Sequence, residues 1–100
     1  MSILISIQKL TGAIFKILPM KEEELRGEEV FLLQYIDSIK TETIGMLKTY
    51  PSLSDDGDFL RVVNTMQGMD WETSDLKKYK SEVLKMTNLL NKIEARWKEE

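Results

Sequence analysis

The last quarter of the chain carries apolar residues that alternate three and four positions apart without interruption. The seven positions are Leu76, Tyr79, Val83, Met86, Leu90, Ile93 and Trp97. An average spacing of about 3.5 residues is typical of a helix that packs along its length against others in an antiparallel bundle or a coiled coil. Lys78–Glu82 and Glu94–Lys98, each four residues apart, support the same helix. The neighbouring helix can belong to the same chain or to another, and the sequence leaves both arrangements open.

The first 18 residues form a second, more apolar segment. Its stripe of residues spaced four and three apart consists of Ile3, Ile7, Leu10, Ile14 and Ile17. Ile5 and Phe15 fall outside this stripe and extend the apolar surface onto another face of the helix. We expect the helix to end near Leu18, because a residue that precedes a proline, here Pro19, is pushed out of the helical conformation.

From Met20 to Tyr50 the sequence has no proline and again alternates four and three. The eight positions of this stripe are Leu25, Glu29, Leu32, Ile36, Ile39, Thr43, Met46 and Tyr50. A helix over the whole range would be about 45 Å long, and each glycine inside it costs about 1 kcal/mol relative to alanine. A break near Gly27 and an early end near Gly45 are therefore both open. Glu29 lies on the apolar stripe, which predicts partial burial.

A short helix is predicted after Gly57. Its apolar positions, at i, i+3, i+4 and i+7, are Phe59, Val62, Val63 and Met66. The acidic residues that precede Phe59 provide an N-cap. Gly68 fits the left-handed residue that often follows a helix end, with Met69 as its apolar contact. The candidate caps of the last helix are Asp70, Thr73 and Ser74.

These segments predict an all-α fold in which residues 1–100 form a single helical domain. We expect an antiparallel bundle of three to four helices: two long heptad-patterned helices, a short helix between them and an apolar N-terminal helix. No window approaches the roughly 18–20 apolar residues of a membrane-spanning helix. A signal peptide is disfavoured because no basic residue precedes the apolar stretch and two lysines interrupt it. We therefore expect a cytoplasmic protein.

Catalytic and metal-binding chemistry finds little support in the residue types. The chain has neither cysteine nor histidine, so it has no thiolate zinc ligand and no imidazole base. A calcium loop aligned on Gly57 would have Ser52 and Ser54 at positions 1 and 3 and Val63 in place of its glutamate, so we expect a turn and a helix cap instead. The densest carboxylate cluster, typical of a solvated helix start, is Glu22, Glu23, Glu24, Glu28 and Glu29. We predict no enzyme activity, metal, cofactor or small-molecule substrate.

Charge is distributed unevenly: residues 1–20 carry +2, residues 21–75 carry −8 and residues 76–100 carry +3. An acidic second helix beside a basic last helix would be complementary within the chain, and solvated charged faces explain the same pattern. Nucleic acid is disfavoured, because the net charge is −3 and the basic residues cluster only in Lys77-Lys78-Tyr79-Lys80.

The function predicted from these patterns is non-enzymatic. We expect an interaction or assembly module in which the apolar stripes of the last helix and the N-terminal helix are buried in a homo-oligomer or against a partner protein. The alternative is a peripheral membrane protein that residues 2–18 anchor as an amphipathic helix at a membrane surface.

Overall fold

The structure, a computed structural model, describes residues 2–98, and all regular structure within that range is helical. The α-helices are α1 (Ile3–Phe15), α2 (Ile17–Leu25), α3 (Leu32–Thr49), α4 (Gly57–Gly68) and α5 (Leu76–Lys98). A 3-10 helix, Pro51–Asp55, joins α3 to α4. Because α2 follows α1 almost directly, the described chain forms four helical rods that pack together. The prediction of an all-α fold is confirmed.

The first helix is interrupted at Lys16 and does not end at Leu18. Pro19 is the third residue of α2, and a proline in the first turn of a helix sacrifices no intrahelical hydrogen bond. Its ring disturbs the preceding turn instead, because it crowds the carbonyl four residues earlier, that of Phe15, where α1 ends. The N–H of Lys16 still donates to the carbonyl of Gly12 at 3.3 Å. The predicted end near Leu18 is therefore wrong, because the helical path resumes after the interruption.

The break near Gly27 is confirmed, whereas the early end near Gly45 is wrong. Gly27 has φ +86°, a left-handed conformation that residues with a Cβ rarely adopt, and the chain turns there between α2 and α3. Glu29 lies in the resulting loop and is exposed, so its predicted partial burial is also wrong. Gly45 lies inside α3, which continues because Met46, the next residue, is buried in the core.

Aspartates begin both of the remaining helices. The carboxylate of Asp56 accepts hydrogen bonds from the backbone N–H groups of Asp58 at 3.0 Å and Phe59 at 3.2 Å, which confirms an acidic N-cap for α4. At the start of α5, the carboxylate of Asp75 accepts from the N–H of Lys78 at 3.2 Å. The capping side chain of α5 is thus Asp75, which directly follows Ser74, the last of the three candidates from the sequence.

The end of α4 uses a side chain where the sequence predicted a left-handed glycine. Gly68 is the last helical residue and has no positive φ, and Met69 follows in an extended conformation. The indole N–H of Trp71 donates to the carbonyl of Met66 at 2.9 Å. The last four carbonyls of a helix have no hydrogen-bond donor within the helix. The Trp71 indole supplies a donor to one of them, as the backbone of a left-handed glycine turn does in other helices.

Helix α5 lies at the centre of the packing. It contacts α1 and α4 extensively and α2 as well, while α3 packs against α1, α2 and α4. Buried apolar side chains from these helices and the 3-10 helix form one cluster, which includes Ile14, Ile36, Leu53, Phe59 and Leu90. The molecule measures 45 × 21 × 21 Å. Its outer surface includes a groove between α4 and α5 that is open to solvent.

Candidate interaction surface

The residues predicted to contact a partner lie in the core of the chain itself. The fully buried members of the two predicted stripes are Tyr79, Val83, Met86, Leu90, Ile93, Ile7, Leu10, Ile14 and Ile17. The partly buried members, which pack against the same core, are Leu76, Trp97 and Ile3. The stripes of α1 and α5 therefore contribute to a single apolar core within one chain. Contact between the fully buried side chains and another protein would require a helix to leave this core, as happens when helices exchange between copies.

A buried polar cluster surrounds Tyr79, near the start of α5. Its hydroxyl donates to the backbone carbonyl of Trp71, and the two rings meet edge to face with centroids 5.4 Å apart. Lys21 Nζ lies 4.9 Å from the centre of the Tyr79 ring and 2.7 Å from a carboxylate oxygen of Glu24. Lys21 is only 2% exposed, so the aromatic face and the carboxylate together compensate its charge. The cluster ties α2 and the segment before α5 to α5.

Burial also determines how Tyr79 titrates. Loss of hydration, reinforced by the carboxylates of Glu24 and Asp70, raises the pKa of Tyr79 to about 12. The side chain is therefore neutral at physiological pH, and its hydroxyl proton forms the hydrogen bond to the carbonyl of Trp71. This arrangement favours a structural role for the hydroxyl over proton transfer, which needs a pKa near the working pH.

The opposite end of α5 is held by partly exposed ion pairs, in which Arg96 is 48% exposed, Asp56 13% and Asp58 24%. Arg96 donates to the two carboxylate oxygens of Asp56 at 2.7 and 2.9 Å and to Oδ2 of Asp58 at 2.8 Å. The hydrogen bond from Arg96 is the main reason that the pKa of Asp58 lies below its usual value, and Lys92 and Arg61 lower it further. Since Asp56 also caps α4, a single carboxylate links the start of α4 to the end of α5.

The groove between α4 and α5, called the α4–α5 groove below, has a volume of about 510 Å³. Its lining residues are Arg61, Ser81, Leu84, Lys85, Asn88, Leu89 and Lys92. An adjoining hollow of about 450 Å³ shares Arg61 and Lys85 and adds Asn64 and Thr65. All three cations are exposed, and none of them forms an ion pair within 4.0 Å in the described part of the chain. The groove is therefore basic and only partly apolar.

Large apolar side chains also remain exposed. Within residues 2–98 they are Ile5, Phe15, Leu25, Phe31, Leu33, Ile44 and Leu84. Isolated exposed side chains of this kind are common on soluble proteins. Leu84 differs because it is 51% exposed inside the basic α4–α5 groove. Leu84 lies outside the apolar stripe of α5 and next to Lys85, a pattern in the sequence that could have indicated an exposed apolar position.

The other candidates from the sequence serve as helix ends and surface pairs. Ser52 and Ser54 lie in the 3-10 helix, as expected for a turn. No group of three or more acidic, histidine or cysteine side chains in the described range could hold a metal ion. In the glutamate cluster, Glu28 pairs with Arg26 at 3.1 Å, and Glu24 holds Lys21 as described above.

The N-terminal helical segment is longer and more apolar than its sequence pattern predicted. Taken as one helix, Ile3–Leu25 is 23 residues long, and by length and composition alone it could cross a membrane. The expectation that no window approaches a membrane-spanning helix is therefore wrong. Core helices of soluble proteins and signal sequences meet the same criterion. Here Ile7, Leu10, Ile14 and Ile17 are packed in the core, but only 22% of the apolar 18-residue window in this segment is buried within the chain.

Comparison of this chain with protein-family models, with curated proteins and with solved structures gives no match. Among the surfaces described above, the α4–α5 groove combines exposed apolar area with cations that form no ion pair among residues 2–98.

Proposed function

We propose that this protein is a non-enzymatic interaction or assembly module that binds another protein through the α4–α5 groove. The observation that carries the proposal is the half-exposed Leu84 beside three cations that lack ion-pair partners in the described residues. Full burial of a large apolar side chain contributes about 1.5–3 kcal/mol. A partner that covers Leu84 gains part of that free energy and supplies charges for the cations. The cytoplasmic location stays a prediction.

The proposal includes the antiparallel, heptad-patterned bundle as its scaffold. Arg96, near the end of α5, pairs with Asp56, just before α4. Gln8, near the start of α1, donates to Glu94, near the end of α5, at 3.0 Å. These contacts support neighbouring helices that run in opposite directions. A closed scaffold of this kind holds the α4–α5 groove in a fixed shape, which lowers the entropy cost of binding.

The predicted burial of an apolar stripe between copies takes a specific form in this proposal. The stripes of α1 and α5 are part of the core, so a homo-oligomer built on them requires one of these helices to swap between copies. An oligomer built on the α4–α5 groove requires no such exchange. The two forms differ in one measurable respect: only the second is sensitive to substitution of the exposed Leu84.

Light scattering across a wide range of protein concentrations separates assembly from heterotypic binding. A constant mass of 11.6 kDa indicates a monomer that awaits a different partner, and a larger mass indicates an assembly. The Leu84→Gln variant then shows whether the groove forms the contact between copies.

An unbiased peptide selection tests the module itself. Random peptides are selected for binding to the folded protein, and their affinities are measured by fluorescence anisotropy against Leu84→Gln and against Leu25→Gln. The second variant is the matched control, because it removes an exposed leucine on α2, far from the groove in the sequence. We expect affinity to fall about tenfold in Leu84→Gln only, as at an interface anchor. Failure to obtain any binder, or an equal loss in both variants, contradicts the proposal.

A second candidate function, attachment to a membrane surface, is favoured by the outer face of α1. Ile5 and Phe15 are 46% and 43% exposed, and Lys9 and Lys16 are exposed as well. Apolar side chains flanked by lysines suit an anionic bilayer surface. Co-sedimentation with anionic vesicles at low salt, lost in the Ile5→Ser/Phe15→Ser variant, is the expected result. Absence of the protein from the vesicle pellet eliminates this candidate.

A further inference from the structure

The cations of the α4–α5 groove are arranged in a regular way. Lys85 and Lys92 are seven residues apart on α5, which places them two helical turns, or about 10.5 Å, apart along the helix axis. Arg61 of α4 lines the same groove, and Leu84 and Leu89 supply its apolar surface. Leu89 is only 6% exposed, so it forms the floor, whereas Leu84 stands out into solvent. The residues that line the groove include no carboxylate.

The positive charge of this groove affects the carboxyl of Asp58, which lies at the end of the groove near the start of α4. The carboxyl of Asp58 has a lowered pKa, chiefly because of its hydrogen bond with Arg96, and Lys92 and Arg61 contribute to the lowering. Asp58 therefore lies within electrostatic range of Lys92 and Arg61 and offsets part of their charge, although neither cation has a carboxylate within 4.0 Å in the described chain. The groove thus presents positive charge that a bound partner can neutralise.

We propose that the α4–α5 groove binds an acidic amphipathic helix of a partner protein, an inference that rests on the proposed function. An apolar side chain of that helix covers Leu84. Carboxylates spaced seven residues apart on one flank pair with Lys85 and Lys92, and a carboxylate on the other flank pairs with Arg61. This is the relation between an apolar seam and its charged edges in helical assemblies. The partner adds one more rod alongside α4 and α5.

The composition of the groove favours a protein helix over nucleic acid. No aromatic side chain lines it, so bases would have no stacking platform, whereas two leucines offer apolar contact. The chain as a whole carries −3, which opposes the approach of a polyanion more than that of a short acidic helix. A free inorganic anion would not need Leu84.

The test compares two designed helical peptides, each about 21 residues, or three heptads, long. One carries a leucine seam flanked by glutamates seven residues apart, and the other is identical except that lysines replace the glutamates. Binding of the fluorescein-labelled peptides is measured by anisotropy at low and high salt. The protein variants are Lys85→Glu/Lys92→Glu, Leu84→Gln, and the control Lys9→Glu/Lys16→Glu. The control makes the same charge change on two exposed lysines that are also seven residues apart, one on α1 and one directly after it, outside the groove lining.

We expect the acidic peptide to bind at least about tenfold more tightly than the basic one at low salt, with the difference shrinking as salt is raised. Lys85→Glu/Lys92→Glu and Leu84→Gln should each lower its affinity about tenfold. The control should change affinity less than about twofold. Circular dichroism melting of each variant confirms that it folds. Equal binding of the two peptides, or an equal loss in the control, overturns the proposal.

Two further arms identify other occupants. A labelled single-stranded oligonucleotide that binds more tightly than the acidic peptide, with the same dependence on Lys85 and Lys92, overturns the proposal in favour of nucleic acid. Self-association that Leu84→Gln abolishes overturns it in favour of a second copy. Selection of neutral or basic peptides that need Leu84 would uphold the interaction module and overturn only the acidic partner.

Discussion

The two ends of α5 are fastened by opposite kinds of interaction. Near its start, the fully buried Tyr79 donates to the carbonyl of Trp71, beside a lysine, Lys21, that is only 2% exposed. Near its end, the half-exposed Arg96 donates to Asp56 and Asp58 at 2.7–2.9 Å. The second end has more hydrogen bonds to charged groups. By that count alone, it would be the stronger fastening.

Burial reverses that order. A polar group that loses its partner in the core cannot regain it from water, so its removal costs the full desolvation penalty. At the exposed end, water and salt replace the ion pair, and such pairs contribute little to stability. The difference teaches that the position of a polar contact in the fold, more than the number of its hydrogen bonds, determines its contribution. Four experiments test this comparison.

The largest effect is expected from Tyr79→Ala. The substitution removes a fully buried ring and leaves the carbonyl of Trp71 without its donor. We expect the free energy of unfolding to fall by about 3–5 kcal/mol, as for other buried aromatic residues. Urea unfolding followed by circular dichroism measures the change. An equal loss in Arg96→Ala would remove the distinction between the two ends.

The second effect is a loss of stability at alkaline pH. The pKa of Tyr79 is raised from 10.0 to about 12, so the folded state favours the neutral side chain. This contribution is complete below pH 10 and is lost as the pH rises from 10 to about 12, by up to about 2–3 kcal/mol. Urea unfolding at several pH values should show this slope in the wild type and a shallower one in Tyr79→Phe, which has no hydroxyl to ionise. The same slope in both proteins would refute the assignment.

Substitutions of Asp56 separate the contribution of the α4 cap from that of the ion pair with Arg96. Asp56→Ala removes both and should cost about 1–2 kcal/mol. Asp56→Asn retains a capping oxygen and weakens only the pairing with Arg96, so it should cost about half as much. Thermal melts of the two variants give the comparison. If Asp56→Asn is as destabilising as Asp56→Ala, the ion pair outweighs the cap.

The smallest effect is expected from Arg96→Gln, at about 0.2–1 kcal/mol, falling further in high salt. In the wild type, the lowered pKa of Asp58 means that its contribution is present above its ordinary pKa and is lost as the pH falls through the lowered value. Unfolding of wild type and variant between neutral and acidic pH should therefore converge at the acid end. A difference that persists there would show that Arg96 acts through contacts other than its carboxylates.

The sequence was sufficient to predict an all-α chain and most of its helical segments, because the apolar positions of α1, α4 and α5 repeat with the period of a helix and lie in the core. The positions on α5 from Tyr79 to Ile93 and on α1 from Ile7 to Ile17 are buried as a single face would be. Gly27 also fell where the chain needed a left-handed residue. These features depend on the local sequence, so they could be predicted locally.

The features that escaped prediction depend on neighbours in space. Gly68 needs no left-handed turn because the indole of Trp71 reaches the carbonyl of Met66. The α4–α5 groove could not be anticipated, because Arg61 and Lys85 belong to different helices and meet only after α4 is placed beside α5. The sequence gives the positions of the charged residues, but it does not give which faces of α4 and α5 lie next to each other.

The loop that begins with Gly27 is a site where the chain can be cut into two fragments between α2 and α3. Arg26 is 61% exposed, but the backbone N–H groups of Arg26 and Gly27 donate to carbonyls of α2, so trypsin reaches the bond after Arg26 when this turn opens. The first product would retain α1 and α2, whose apolar face includes Ile7 and Ile14. Cleavage there breaks one peptide bond and leaves the apolar contacts between the two fragments intact, so we expect the fragments to remain associated. The protein is thus suited to fragment complementation, with α1 and α2 supplied as a separate peptide.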